Sequence, residues 1–402
     1  MKNKIAIITP FYPIKHRNDL FEDTKAIYYL LKDFPKDSDV LIIHLYMHGF
    51  RTAFKQLRKV LSIKGNYKHY LYKDDYGNRL IFFEYLLLFP KSIKTLSYFS
   101  KKIINILKDF SIKEQYTPEI AVVHFPTYYV DLMNKISLFP KTIAILHSFD
   151  IKNIKNRGKI KQWEDYFNNF NAIGFRSYQI KKEFENLIEF KGKKFMCLSG
   201  IPENYISHQI NSSNYNVKEK INLTFAGRLD SNKNVANTIL ALNKIDKKIQ
   251  FSFTIIGDGE EKNGIKKIAQ NIGMFDRINF TGRLSREKTF ESMINADIFI
   301  MVSKKETLGI VYLEAMAAGC IIIGTRGQGI DGIIIDGENG FLTDSNNINE
   351  ISQTIYRVMT LSSEEQERIR KNARRTIESL NEKTVSREYF YNICSIKQEE
   401  NI

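Results

Sequence analysis

Short apolar runs recur along the chain, each bounded by turn residues and separated from the next by segments with helical spacing. The first, Ile5-Ala6-Ile7-Ile8-Thr9, stops at Pro10 and is too short for a helix, so it predicts a buried parallel strand. Val40 to Leu45, Ile120 to His124, Thr142 to Leu146 and Ala172 to Phe175 repeat the pattern. Strands alternating with amphipathic helices predict a doubly wound α/β sheet. A polar stretch from Ser207 to Lys220, rich in Asn and Ser, has linker composition. Beyond it the pattern restarts at Ile221 to Ala226, Phe251 to Ile256, Ile278 to Phe280, Ile298 to Val302 and Cys320 to Ile323. The chain has 402 residues, more than one core accommodates, and two α/β domains are expected at 1–205 and 206–384. The end of the chain, about 385–402, carries Tyr389-Phe390-Tyr391 after a charged helical pattern and must pack on one domain or the other.

Hydrophobic residues at 43% and charged residues at 26% are ordinary for a globular chain, so the whole length is expected to fold. The net charge of +15 changes the picture more, because a surplus of Lys and Arg attracts nucleic acid, anionic headgroups or phosphorylated ligands. Much of it sits between Arg51 and Lys113. Within that stretch Lys91 to Phe110 places Ile93, Leu96, Phe99, Ile103, Ile104 and Leu107 at helical spacing beside lysines that include Lys94, Lys101 and Lys102. Such a face suits either an anionic membrane surface or the domain core. Cys197, Cys320 and Cys394 show no C-x-x-C spacing, which predicts neither a disulfide framework nor a zinc site and fits a reducing cytoplasm. No apolar run approaches the roughly 20 residues that cross a bilayer, so membrane contact is expected only as a peripheral one on the inner face of the cytoplasmic membrane.

The densest chemistry lies at Glu306-Thr307-Leu308-Gly309-Ile310-Val311-Tyr312-Leu313-Glu314, followed by Ala315-Met316-Ala317-Ala318-Gly319. A bare E-x7-E pair is most often a surface coincidence. Here it lies between a strand ending near Ser303 and a small-residue helix, at the carboxyl edge where α/β sheets bind ligands. A helix opening at Gly309 would aim free amides and its positive end at an anion, with Glu314 about one turn further on. Upstream, Gly227-Arg228-Leu229-Asp230-Ser231-Asn232-Lys233 follows another strand end and sets two cations five apart. Arg offers a planar fork and Lys a compact charge, so together they can hold an anion. Asp37-Ser38-Asp39 has the D-x-D spacing of metal-dependent GT-A transferases, but it precedes a strand and reads as a polar turn.

These segments resemble the group 1 family of retaining GT-B glycosyltransferases, densely from Ile221 to Leu342 and loosely before that. The resemblance implies two Rossmann-like domains facing a central cleft, the first on the acceptor side and the second binding a nucleotide sugar. It implies that Arg228 and Lys233 bind the diphosphate beside Gly227, that Glu306 binds hydroxyls of the donor sugar, and that Glu314 binds the ribose. The amides around Thr307, Leu308, Gly309, Ile310 and Val311 would take the diphosphate, while the loop at Arg283 and Leu284 would face the base. Gly257-Asp258-Gly259 and Thr281-Gly282-Arg283-Leu284 match the family in order, although a Gly-Asp-Gly turn by itself is usually a tight connection. His147, in His147-Ser148-Phe149-Asp150, resembles the family's histidine near donor sugar and acceptor, which makes it a catalytic and acceptor-side candidate. Asp150, Arg176 and Tyr12 are further acceptor-side candidates. Two departures stand out. The chain has Thr307 where the family has a glycine, and the loop Pro10 to Asp19 lacks the usual paired glycines.

The expected function is metal-independent transfer, with retention, of a hexose or N-acetylhexosamine from a nucleotide diphosphate sugar, UDP ahead of GDP. The acceptor would be a glycan or a polyprenyl-diphosphate-linked glycan in cell-surface polysaccharide, capsule, lipopolysaccharide or glycolipid synthesis. No cofactor is implied. The competing readings are a GT-B isomerase or phosphorylase, for which no pyridoxal lysine is identifiable, and a basic nucleic-acid-binding protein, for which no recognised motif is present.

Overall fold

A computed structural model of the chain describes residues 3–13, 26–49, 67–74, 77–87, 93–133, 139–207 and 220–396. The loop residues Ile14 to Asp19, most of the Ser207–Lys220 stretch, and the basic residues from Arg51 to Lys64 lie outside them. Contacts divide the chain into two units. One comprises Met1–Arg176, Ile180–Cys197 and Ser386–Ile402, the other Ser177–Gln179 and Leu198–Val385. The boundary falls before residue 205 because the Ile201 amide donates to the Leu380 carbonyl (3.0 Å) and the Glu382 amide to the Ile201 carbonyl (2.9 Å), which holds this segment in the second unit.

The first unit is built on an eight-stranded sheet. Its strands are β1 (Lys4–Thr9), β2 (Asp39–Gly49), β3 (Tyr67–Lys73), β4 (Arg79–Leu87), β5 (Ile120–His124), β6 (Lys141–Leu146), β7 (Ala172–Phe175) and β8 (Lys193–Met196). They lie in the order β3-β4-β2-β1-β5-β6-β7-β8, parallel except for the antiparallel β3–β4 pair. The β3–β4 pair occupies part of the basic stretch and is not predicted by its sequence. Arg79, one of its basic residues, is structural: its guanidinium forks onto Asp39 at 2.7 and 2.9 Å and covers the Tyr116 ring at 4.1 Å. Asp39 of the D-x-D segment is thus an ion-pair partner at the start of β2.

The helix Ile93–Lys113 follows. Ile103, Ile104 and Leu107 on it are buried in the core with Phe83 and Tyr116, while Lys101 is exposed. Of the two readings of this helix, the described apolar positions take the core, since the sheet face beneath them is itself apolar and would otherwise meet water. Among the described residues no helix is long and apolar enough to cross a membrane. At the chain end the helix Glu382–Ser395 brings Tyr389 and Phe390 against Phe34, with ring centroids 5.9 and 5.0 Å apart, and leaves Tyr391 exposed.

The second unit is a six-stranded sheet of β9 (Ile221–Ala226), β10 (Phe251–Ile256), β11 (Ile278–Gly282), β12 (Ile298–Ile300), β13 (Ile321–Thr325) and β14 (Phe341–Thr343). The order is β11-β10-β9-β12-β13-β14, all parallel. The chain runs outward from β9 through β10 and β11, then returns to the far side of β9 to begin β12. That reversal is a topological switch point, where the loops leaving the carboxyl ends of two neighbouring strands diverge and open a crevice. The loops in question start at Gly227 and Met301.

Shortening Leu107 to alanine is expected to destabilise the first unit by about 2–5 kcal/mol, the usual result of a cavity in a packed core. Denaturant unfolding followed at Trp163, the single tryptophan and a member of the same core, reads it. A change below about 0.5 kcal/mol, typical of surface positions, would return this helix face to the exterior.

Candidate functional site

At the switch point the loop after β9 is shaped by its neighbour after β10. Amides of Gly227 and Leu229 donate to the carbonyls of Ile256 and Asp258, each at 3.0 Å. Gly257 has φ +146°, and a Cβ there would lie 1.8 Å from the Gly227 carbonyl oxygen, so no other residue fits. The Gly-Asp-Gly segment is therefore more than a tight connection: it presses on the loop after β9 and fixes its path. Asp230 Oδ1 accepts from the amides of Asn232 (3.1 Å) and Lys233 (3.0 Å), turning the chain so that Lys233 faces the loop after β12.

Those two loops are joined. The Lys304 amide donates to the Asn232 carbonyl at 2.8 Å, Asn232 Nδ2 donates to the Lys305 carbonyl at 2.8 Å, and Lys233 Nζ forms an ion pair with Glu306 Oε2. The pair is well covered, with the two side chains 18% and 17% exposed. Glu306 is further fixed through its amide, which donates to Gln328 Oε1 at 3.1 Å from the loop after β13.

The helix Ile310–Ala317 opens at Gly309, whose φ of +79° suits glycine and whose Cβ position would fall 2.6 Å from the Tyr312 ring. Tyr312 is fully buried and its hydroxyl donates to the Met301 carbonyl at 2.5 Å, pinning the first turn over the end of β12. First-turn amides such as those of Ile310 and Val311 have no partner inside a helix. Thr307, where the family has glycine, is absent from the positive-φ residues, so the exchange costs no backbone strain. Leu308 is buried, and Thr307, Gly309, Ile310 and Val311 are partly exposed.

Arg228 is the outer cation, its side chain 66% exposed and 3.2 Å from Glu260. An exposed pair of this kind contributes about 0–1 kcal/mol, so the guanidinium can exchange Glu260 for a phosphate at little cost. Arg283 is exposed and Leu284 partly so, at the end of β11. Glu314 is buried and accepts at Oε1 from Arg286 Nε, 2.7 Å away. Sequence reasoning missed Arg286 and Gln328. Their only signal is position, just after Arg283-Leu284 and just after β13 respectively.

The first-unit candidates are all covered. Tyr12 is buried and its hydroxyl donates to Asp74 Oδ2 at 2.7 Å. Asp150, fully buried at the third position of the helix Ser148–Arg157, accepts from the Thr127 amide (3.0 Å), the Thr127 hydroxyl (2.6 Å) and the His147 amide (2.9 Å). Both its oxygens are thus taken by the protein, which makes it a structural cap. Burial outweighs those bonds and raises its pKa from 3.8 to about 6. Arg176 is buried and donates to Cys197 Sγ at 3.5 Å.

His147 begins that same helix. Its Nε2 shares a proton with His124 Nδ1 (3.2 Å), and His124 Nε2 meets the Tyr389 hydroxyl (2.8 Å), so a polar chain runs through the core to the last helix. The Phe125 ring stacks on His147 with centroids 3.6 Å apart, and Phe125 holds a left-handed φ of 58° that aromatic residues rarely adopt. Burial, with Arg176 nearby, pushes both imidazole pKa values well below 6.5, which keeps the rings neutral. Among the described residues no group of three His, Cys, Asp or Glu is placed to hold a metal ion.

Two parallel, doubly wound units with these strand-end loops define the GT-B architecture. Sucrose-phosphate synthase from Thermosynechococcus elongatus superimposes with a TM-score of 0.71, covering 98% of this chain and 100% of that one at 14% identity. Anabaena HepE, solved in complex with UDP and glucose, gives a TM-score of 0.64 over 98% and 100% at 14% identity. At such identities the likeness is one of fold. Residues 208–376 match the family model for glycosyl transferases group 1. A lipopolysaccharide core biosynthesis glycosyltransferase of Rhizobium meliloti is 32% identical over 109 residues, 27% of this chain and 32% of that relative's length.

Asp150 gives a pH test. Its folded pKa of about 6 lies above the ordinary 3.8, so between pH 4 and 6 the unfolded chain ionises first and the fold loses stability as pH rises, by up to about 3 kcal/mol. Asp150→Asn cannot ionise. The stability of the wild type minus that of the variant is expected to fall across this window, and the two histidines, present in both, cancel. A flat difference would mean that Asp150 titrates normally.

Proposed function

We propose that this protein is a retaining glycosyltransferase that moves a hexose or N-acetylhexosamine from a nucleotide diphosphate sugar, UDP before GDP, to a glycan or lipid-linked acceptor of a cell-surface polysaccharide or glycolipid. The observation that carries the reading is the joining of Lys233 to Glu306 across the switch point of the second unit, with Arg228 on the same loop as Lys233 and the helix that opens at Gly309 following Glu306. Two cations and a helix N-terminus suit a diphosphate, and the neighbouring carboxylates suit sugar hydroxyls. The bound UDP of HepE supports a uridine donor, and the lipopolysaccharide relative supports a glycan acceptor.

The chemistry follows from where charge grows. As the bond from the anomeric carbon to the diphosphate breaks, the leaving oxygen gains negative charge before the acceptor hydroxyl has bonded on the same face. Arg228 and Lys233 therefore interact more strongly with the transition state than with the bound donor, and only that difference accelerates the reaction. Binding a diphosphate draws Lys233 from Glu306, which frees the carboxylate for donor-sugar hydroxyls. His147, neutral and fixed by its neighbours, acts on the acceptor side in this reading. A nucleotide-sugar hydrolysis screen with the purified protein, followed by anomeric analysis of the product, tests the whole proposal. No turnover of any nucleotide sugar, or an inverted product, would overturn it.

Finer outcomes follow. Lys233→Ala is expected to lower turnover at saturating donor by about 10²–10³, the usual loss of one preorganised charge donor. Glu314→Gln is expected mainly to raise the donor KM, because the ribose does not change in the reaction. Full donor titrations on folded variants separate them, and equal small turnover losses would contradict the assignment. With the leaving charge assigned to Arg228 and Lys233, activity is also expected to survive EDTA; loss on chelation and recovery with manganese or magnesium would contradict it.

A further inference from the structure

Arg286 is the first residue of the helix Arg286–Ile294, a place where the positive end of the helix opposes a cation. Its surroundings compensate. Nε donates to Glu314 Oε1 at 2.7 Å, Nη1 lies 4.0 Å from Glu382 Oε1, and the guanidinium stands over the Tyr205 ring at 5.5 Å. Tyr205 is itself stacked on Phe290 at 3.9 Å. Burial works against the Arg286 charge, but Glu314, Tyr205 and Glu382 together outweigh it and raise its pKa above the arginine value. Unlike Arg228, this guanidinium is held on three sides and only 32% exposed.

Arg286 occupies Oε1 of Glu314, and among the described residues Oε2 accepts no hydrogen bond. We infer that Arg286 is a positioning and specificity residue for the nucleotide: it fixes the Glu314 carboxylate so that the other oxygen meets the ribose hydroxyls. The inference rests on the nucleotide-sugar reading above.

The test is calorimetric titration of the full chain with UDP and GDP and with their 2′,3′-dideoxy counterparts. Wild type is expected to bind one of the ribonucleotides about tenfold or more tightly than its dideoxy form, as a hydrogen bond to a charged group warrants. Arg286→Gln is expected to lose most of that preference while its affinity for the dideoxy nucleotide stays within about twofold. Equal weakening towards both ligands, or no change towards either, would overturn the role of Arg286. Arg286→Lys carries the same test if the glutamine variant fails to fold, because a single ammonium does not reproduce the fork, and a wild-type ribose preference in the lysine protein would contradict the assignment. Failure of the wild type to bind either UDP or GDP would instead overturn the nucleotide-sugar reading itself.

Discussion

The ion pair between Lys233 and Glu306 ties the loop after β9 to the loop after β12, and the geometry of the candidate site depends on it. A parallel sheet with a switch point supplies two diverging strand ends, but it does not decide how far their loops stand apart. Here that distance is set by three links between residues 232–233 and 304–306, one of them charged. The ion pair also resolves an electrostatic difficulty. A lysine and a carboxylate with little exposure each need a partner while no ligand is bound, and each serves as the other's. In the proposed reaction a dianion would compete for the lysine, so the contact that joins the two loops is the one a donor would displace.

The covered residues of the first unit follow a different logic. Neutral histidines linked in series to Tyr389 make a polar path with no net charge, which a buried site tolerates once its donors and acceptors are matched. Phe125 spends backbone strain to lay its ring on His147, and such strain persists only where the surroundings hold it. Asp150 supports the same helix start from below, through both of its oxygens. The consequence is a histidine whose position is decided by the core rather than by solvent.

Much of the fold was legible in the sequence because buried parallel strands are short apolar runs, and the candidate residues follow them directly. Gly227, Arg228 and Lys233 come after one such run, and Glu306, Gly309 and Glu314 after another, so spacing marked the positions while the family resemblance supplied their expected roles. The hairpin of β3 and β4 was not legible, since its aromatic and basic residues mix without a clean alternation and hide it in a charged stretch. Arg286 and Gln328, and the partner of Tyr389, were missed for another reason. The contacts of these three residues span 28, 22 and 265 positions, and only folding makes them. Asp150 was read as a site residue because a carboxylate after a strand end looks the same whether it faces a ligand or caps a helix. Its three internal hydrogen bonds distinguish the two.

The central claim is that the crevice between the loops after β9 and β12 recognises a diphosphate through Lys233. The most direct measurement compares the affinity of the protein for a nucleoside diphosphate with that for the corresponding monophosphate, in the wild type and in Lys233→Ala. Charge-assisted contacts to the outer phosphate predict that the diphosphate binds about tenfold or more tightly to the wild type, and that most of this margin disappears with the lysine. Equal affinities for the two nucleotides, or a margin that survives loss of Lys233, would contradict the account.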